Sequence, residues 1–279
     1  MAAISREELE KRISKRVPLE DVDLSGINLE GAVLTGAVLI RCNLRDANLS
    51  KANLDCATLT ETDFTGANLR EASLREALMT GVNLTDADLT QAVLMEASLR
   101  GANLDRAMVQ EADLTQAYLV KGHAYMADFS GANLKRMLLN GSRLLVCIFD
   151  DCQADMLSAV RTDFTGSRFH RTALDRAVLL GVNFSFADLS EALLRGCPLK
   201  QANFFSSELQ GVKFTKSNME KAQFFKASAK GAMFNGVNLR SASLEQGDFS
   251  GANFDSAFMM QVVTTNAKFD GASFKEARR

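Results

Sequence analysis

The residues best equipped for nucleophilic, redox or metal chemistry are Cys42, Cys56, Cys147, Cys152, Cys197, His123 and His170. Metal binding needs several such groups converging at ligand spacing, and a reactive thiol needs a base or positive charge beside it. The sequence has no CxxC pair, and its two histidines are widely separated. Asp or Asn precedes many leucines and phenylalanines, as at Asn48, Asn68, Asp88 and Asn253, which suggests carboxylates for acid–base work. Catalytic pairs, however, sit in unlike environments. A regular recurrence points instead to side-chain hydrogen bonding along a stack. No glycine-rich phosphate loop or nucleophile elbow is present. Phe205 and Phe225 lie among Lys200, Lys213, Lys216, Lys221, Lys226 and Lys230, which read as surrounding them. Such a set can stack on single-stranded nucleic acid, but a solvated face with an aromatic ladder explains it as well, and the latter is favoured. No catalytic, metal or cofactor set emerges, so the chain is expected not to be an enzyme.

The elements that place these side chains are set by a repeat of five residues. From Leu24 to Phe274 every fifth position is Leu or Phe at 42 of 51 places. Two residues earlier, a second register is Ala at 29 of 51 places and small at nearly all the others. Two residues after each Leu or Phe falls a register that holds 16 of the 18 glycines. Helices repeat at 3.6 residues and strands at 2, so neither explains this spacing. A large and a small inward residue in every five require a chain that turns a corner each time, and glycine suits such corners. Four sides close a coil of 20 residues, and coils stacked at roughly 4.8 Å would be filled by Leu, Phe and Ala. Cys42, Cys147, Cys152 and Cys197 all fall in the small inward register and read as apolar filler. Cys56 and both histidines point outward.

The chain resembles the pentapeptide-repeat family, whose motif is A(D/N)LXX. Ala47-Asn48-Leu49-Ser50-Lys51, Ala67-Asn68-Leu69-Arg70-Glu71 and Ala87-Asp88-Leu89-Thr90-Gln91 carry the resemblance. It implies an all-β solenoid, a right-handed quadrilateral β-helix of about 13 coils, with residues 17–279 as one uninterrupted helix. Some relatives protect DNA gyrase by imitating duplex DNA, generally as dimers joined near their C-termini, and others are secretion-system accessories or effectors.

Residues 1–16 stand outside the repeat. Ser5 to Glu8 has the form of a capping box, and Ile4 with Leu9 that of a hydrophobic staple. A short helix over about residues 6–16 is expected to cap the solenoid, with a partner-binding helix as the alternative. At the other end Phe274 is still in register, so either its charged neighbours blunt an open edge or a second subunit covers it in a homodimer. Near the middle, Ala154 and Ala159 are undersized and Leu157 oversized. Leu157 and Ala159 read as an exchange of volume in a repacked coil, the alternative being a bend.

Apolar residues make up 47% of the chain and the formal net charge is −2, which excludes wholesale disorder and a strongly basic nucleic-acid binder. The longest apolar run, Leu144 to Phe149, is far too short for a membrane span. A cytoplasmic bacterial protein is the expectation. The near-zero charge conceals a division: residues 17–140 carry 10 basic and 17 acidic side chains, and residues 141–279 carry 17 and 14. When outward positions flanking the central residues are sorted by side, one side has 12 apolar residues in 24, against 5, 2 and 5 in 26 on the others. Besides Pro198, these are Val38, Ile40, Leu78, Tyr118, Val120, Leu138, Val160, Val178, Leu180, Phe258 and Met260. An exposed apolar stripe marks an interaction surface. The expected function is a non-catalytic scaffold for a protein partner, bound along that side or at the C-terminal end. DNA mimicry directed at gyrase is the alternative, weakened because only the N-terminal half is acidic.

Overall fold

The computed structural model describes residues 5–279. Helix α1 spans Arg6–Ser14, and the Ser5 hydroxyl accepts from the Glu8 amide at 3.3 Å. It ends two residues short of the expected stop, where Lys15 and Arg16 close the last turn onto Arg12 and Ile13. Ile4, the expected partner of Leu9 in a staple, lies outside the described residues. Leu9 is fully buried, and Arg6 ties the helix to the first coil by donating to the Glu30 carbonyl at 3.0 Å.

The corner that sequence periodicity requires is a tight turn. Between Leu44 and Ala47 the Ala47 amide donates to the Leu44 carbonyl at 3.2 Å, and the third residue, Asp46, has φ 54°. A left-handed third residue ordinarily calls for glycine. Among the described residues sixteen glycines do occupy corners, yet 37 non-glycine residues adopt the same sign of φ. Each such residue costs roughly 1–2 kcal/mol of backbone strain. The geometry is held because the corner amide has a fixed acceptor on the next coil, as Asp46 has in the Thr65 carbonyl at 2.9 Å.

Residues Met1–Leu138 and Leu139–Arg279 form two compact units. In unit 1, β1 (Leu19–Glu20) pairs in parallel with β2 (Leu39–Ile40), with Leu19 opposite Leu39. The same 20-residue step continues as isolated bridges from Asp23 to Asn43, Asn28 to Asn48, Val33 to Asn53 and Val38 to Thr58, one for each of four sides. The interior is mainly leucine over alanine: Leu44, Ala47, Leu49, Ala52 and Leu54 are all fully buried.

Unit 2 keeps the step, with bridges from Ser158 to Val178, Asp163 to Asn183, Arg168 to Asp188 and Ala173 to Leu193. Its interior shifts toward phenylalanine. Phe164, Phe184, Phe204 and Phe224 stack in line with centroids 5.4, 5.6 and 4.8 Å apart. Ala154, Leu157 and Ala159 are buried, and the Ala159 amide reaches the Val178 carbonyl at 2.9 Å, so the ladder runs through this segment without a break. Buried hydroxyls of Thr62, Thr162, Ser167, Thr172 and Ser217 in the small register donate to carbonyls of the preceding coil, as Thr172 does to Phe149 at 2.5 Å. The fold is a right-handed quadrilateral β-helix.

Candidate functional site

The groups suited to chemistry do not converge. Cys42 in unit 1 and Cys147, Cys152 and Cys197 in unit 2 are buried, while Cys56 is exposed on a corner with φ 55°. Burial pushes the Cys197 thiol up to about 12, and its sulfur donates to the Leu174 carbonyl at 3.0 Å. Among the described residues no group of three His, Cys, Asp or Glu could hold a metal ion.

The recurrent Asp and Asn are structural. Asn183 Nδ2 donates to Asp163 Oδ1 at 2.9 Å, and Asn183 Oδ1 accepts from Asn203 Nδ2 at 3.1 Å and from the Ser185 amide at 3.1 Å. Asn183 thus links neighbouring coils and fastens its own turn, while Asn53 and Asn253 fasten their own turns by accepting from the amides of Asp55 and Asp255. The Ser250 hydroxyl and amide both donate to Asp248 and hold its carboxyl below the ordinary range.

What remains is surface. In unit 1 a single ladder joins Val38, Thr58, Leu78, Ser98, Tyr118 and Leu138, each 20 residues from the last. Leu78 is 51% exposed and Tyr118 42%, while Val38, Ile40, Val120 and Leu138 are half-buried. In unit 2, Leu180 and Met260 are exposed, and Val160, Val178 and Phe258 are half-buried. Phe258 bridges Asn238, so polar rungs separate it from the others. Phe205 and Phe225 stack on the outside with centroids 5.8 Å apart and rings inclined by 8°, and Lys226 lies 5.4 Å from the Phe225 centroid.

The lysines do not surround this pair as their sequence proximity suggested. Lys216, Lys221 and Lys226 occupy three successive corners, and Lys213 belongs to the Leu193–Met233 ladder on the opposite side from Asn203 and Gln223. Lys200 pairs with Glu220 and Lys230 with Asp248. Among the described residues, Lys226 is the one lysine that lies over a ring of the aromatic pair.

Sorting by positions beside the central residues missed the corners themselves. Met126, Val146, Met156 and Phe186 are all exposed there. Their signal was an apolar residue in the register that otherwise carries glycine or polar side chains. A recess of about 490 Å³ at the last coil is lined by Met259, Val262, Thr264, Phe269, Phe274 and Arg279, with the guanidinium 4.6 Å from the Phe274 centroid.

With this geometry in hand, family comparison is decisive. A model of pentapeptide repeats matches residues 19–55, 42–81 and 83–119, and a model of a pentapeptide repeat region matches 167–244. The chain belongs to the pentapeptide-repeat family. Among solved structures this pentapeptide-repeat protein is similar to HetL, involved in heterocyst differentiation regulation in the cyanobacterium Nostoc sp. strain PCC 7120. Identity is 26%, the TM-score 0.35, and 98% of this chain and 96% of HetL are covered. QnrB1, a plasmid-mediated fluoroquinolone resistance protein, is 17% identical with a TM-score of 0.36, over 73% of this chain and 91% of its own. A pentapeptide repeat protein of the Arabidopsis thaliana thylakoid lumen is 28% identical with a TM-score of 0.14, over 43% and 63%. No curated protein matches the sequence. The matched families are repeat families, and no catalytic family is among them. Among the described residues, no helix is long and apolar enough to cross a membrane.

Proposed function

We propose that the protein is a non-catalytic scaffold that binds a protein partner through the apolar face of unit 1. The observation that carries this is the Val38–Leu78–Tyr118–Leu138 ladder, in which Leu78 and Tyr118 stand 51% and 42% exposed on one side of the coils. Thr58 and Ser98 alternate with these residues in the ladder. Apolar side chains repeated along one side and left in water mark docking surfaces, and the hydrogen-bonded ladder fixes the backbone that carries them, so little backbone entropy is lost on binding. The reading extends in unit 2 to Val160, Val178, Leu180, Phe258 and Met260. It also includes a homodimer whose second copy covers the recess at Phe269 and Phe274. Free thiols at Cys42, Cys147, Cys152 and Cys197 suit a reducing bacterial cytoplasm. A role as a secretion-system accessory or effector is one form of the same reading. Affinity capture from cells of the native organism tests it, run beside Leu78→Asp with Tyr118→Asp. A partner lost from the double variant supports the face, and one retained equally by both chains removes it.

A second reading, a DNA mimic that binds DNA gyrase or topoisomerase and protects it from quinolones or toxins, is favoured by one observation. The coils of unit 1 carry 17 acidic against 10 basic side chains, and a long negative surface can occupy a cleft built for phosphates. A gyrase supercoiling assay separates the two. No effect at micromolar protein ends the mimic reading and leaves the scaffold intact.

A further inference from the structure

Among the 37 non-glycine corners with positive φ in the described residues, one is β-branched and one is aromatic: Val146, at 57°, and Phe186, at 58°. A β-branched residue in this region is a genuine outlier. Both fall in the same corner column of unit 2, two coils apart, with Gly166 between them at φ 69°. Val146 is 47% exposed and Phe186 59%, so neither is placed there to fill a core. A Cβ at Gly166 would meet Val146 Cγ2 at 3.5 Å, which makes the glycine the floor of a notch between two apolar knobs. The column continues into a run of rings on the outside: Phe186 meets Phe205 edge-on with centroids 5.2 Å apart, and Phe205 stacks on Phe225. The coil needs a left-handed corner here but not a β-branched side chain in it, and residues held in such strain gather at binding sites.

The flank is acidic. Asp188, two residues from Phe186, bridges Glu208 on the next coil, so two carboxylates stand on adjacent rungs of one ladder. Like charges facing across a ladder are destabilising. Among the described residues neither forms an ion pair; Arg168, one rung earlier, is turned to Asp150 at 2.6 Å. Lys226, over Phe225, marks the far end of the patch.

We infer that this corner is a docking ridge for an amphipathic helix of a protein partner, with apolar residues once per turn and Lys or Arg along one flank. The helix pitch of about 5.4 Å nearly matches the coil spacing of about 4.8 Å. A helix laid along the column therefore offers one apolar residue to each coil, seats one in the Gly166 notch, and brings its basic flank to Asp188 and Glu208. The ridge is separate from the unit 1 face and stands or falls without it.

The test uses the full chain and a fluorescent 15-residue helical peptide of leucine and lysine, with a leucine–glutamate peptide of the same pattern as its control. Binding is read by anisotropy. Val146→Gly and Phe186→Gly remove the knobs but leave a residue that the corner geometry favours, so the coils stay folded. Expected results are binding of the lysine peptide at least tenfold tighter than the glutamate peptide, and a loss of tenfold or more in Phe186→Gly and in Asp188→Lys with Glu208→Lys. Equal binding of the two peptides, or unchanged affinity in Phe186→Gly, overturns the proposal. So does self-association that Phe186→Gly abolishes, which would assign the ridge to a second copy, or preference for oligo-dT over the lysine peptide, which would assign it to nucleic acid.

Discussion

Leu157 and Ala159 exchange volumes within one pentapeptide: the small inward position holds the large residue, the central one the small, and both are buried, at 2% and 0% exposure. A core tolerates such exchanges when total volume is kept. Leu157→Ala should therefore cost about 2–5 kcal/mol through the cavity it leaves, and Ala159→Leu about 1–3 kcal/mol through overpacking. The double variant restores the ordinary pattern and should lose less than the sum of the singles by about 2 kcal/mol. Urea unfolding of the four chains measures this. Additive losses would show that the two sites do not share one space.

Much of this was legible because each inward position accepts only one size of side chain. Leu44, Leu49 and Leu54, with Ala47 and Ala52 between them, declare their depth by type alone. The corners are another matter. Asp46, Glu61 and Lys51 carry the same positive φ as the glycines, yet an exposed polar residue leaves no mark of its backbone angle. Phe186 escaped notice because the side-by-side sorting looked beside central residues and not at the turn. Lys213 was misplaced for a related reason: closeness along the chain is not closeness on a four-sided coil, where two turns carry a residue to the opposite side.

Acid should weaken the fold through its turn carboxylates. Asp248 is held low first by the Ser250 hydroxyl and then by the Ser250 amide, and Asp86 first by its two hydrogen bonds to Arg106. A folded pKa below the unfolded value gives stability that is complete above about pH 4 and is lost as pH falls through the folded pKa. Urea midpoints should be level from neutral pH to about pH 5 and then fall. Asp248→Asn should reduce that slope. A midpoint that rises in acid would contradict the sign.

Thiol reactivity should separate one cysteine from four. Cys56 is exposed on its corner, whereas Cys42, Cys147, Cys152 and Cys197 are buried. Burial raises the Cys42 thiol and pushes Cys197 up to about 12, so neither supplies thiolate near neutral pH. A chromogenic disulfide reagent should titrate one thiol in the folded chain and all five cysteines in denaturant. Cys56→Ser should abolish the fast phase. Fast reaction of Cys197 in folded protein would show that unit 2 opens locally.

The corner at Val146 offers the clearest separation of stability from binding. Its β-branched side chain sits at φ 57° and is nearly half exposed, so it contributes strain and little burial. Relief of that strain by Val146→Gly is about 1–3 kcal/mol, opposed by the extra freedom of glycine in the unfolded chain, roughly 0.5–1 kcal/mol. The net should stabilise unit 2 by about 1 kcal/mol. Val182→Gly is the counterpart, since Val182 is fully buried in the small inward register. That change removes apolar contact, relieves nothing, and should destabilise by at least 1 kcal/mol or so. Thermal melts of the two variants should move in opposite directions. If both fell, the Val146 side chain would be supporting the coil, and its exposed corner would have a structural role.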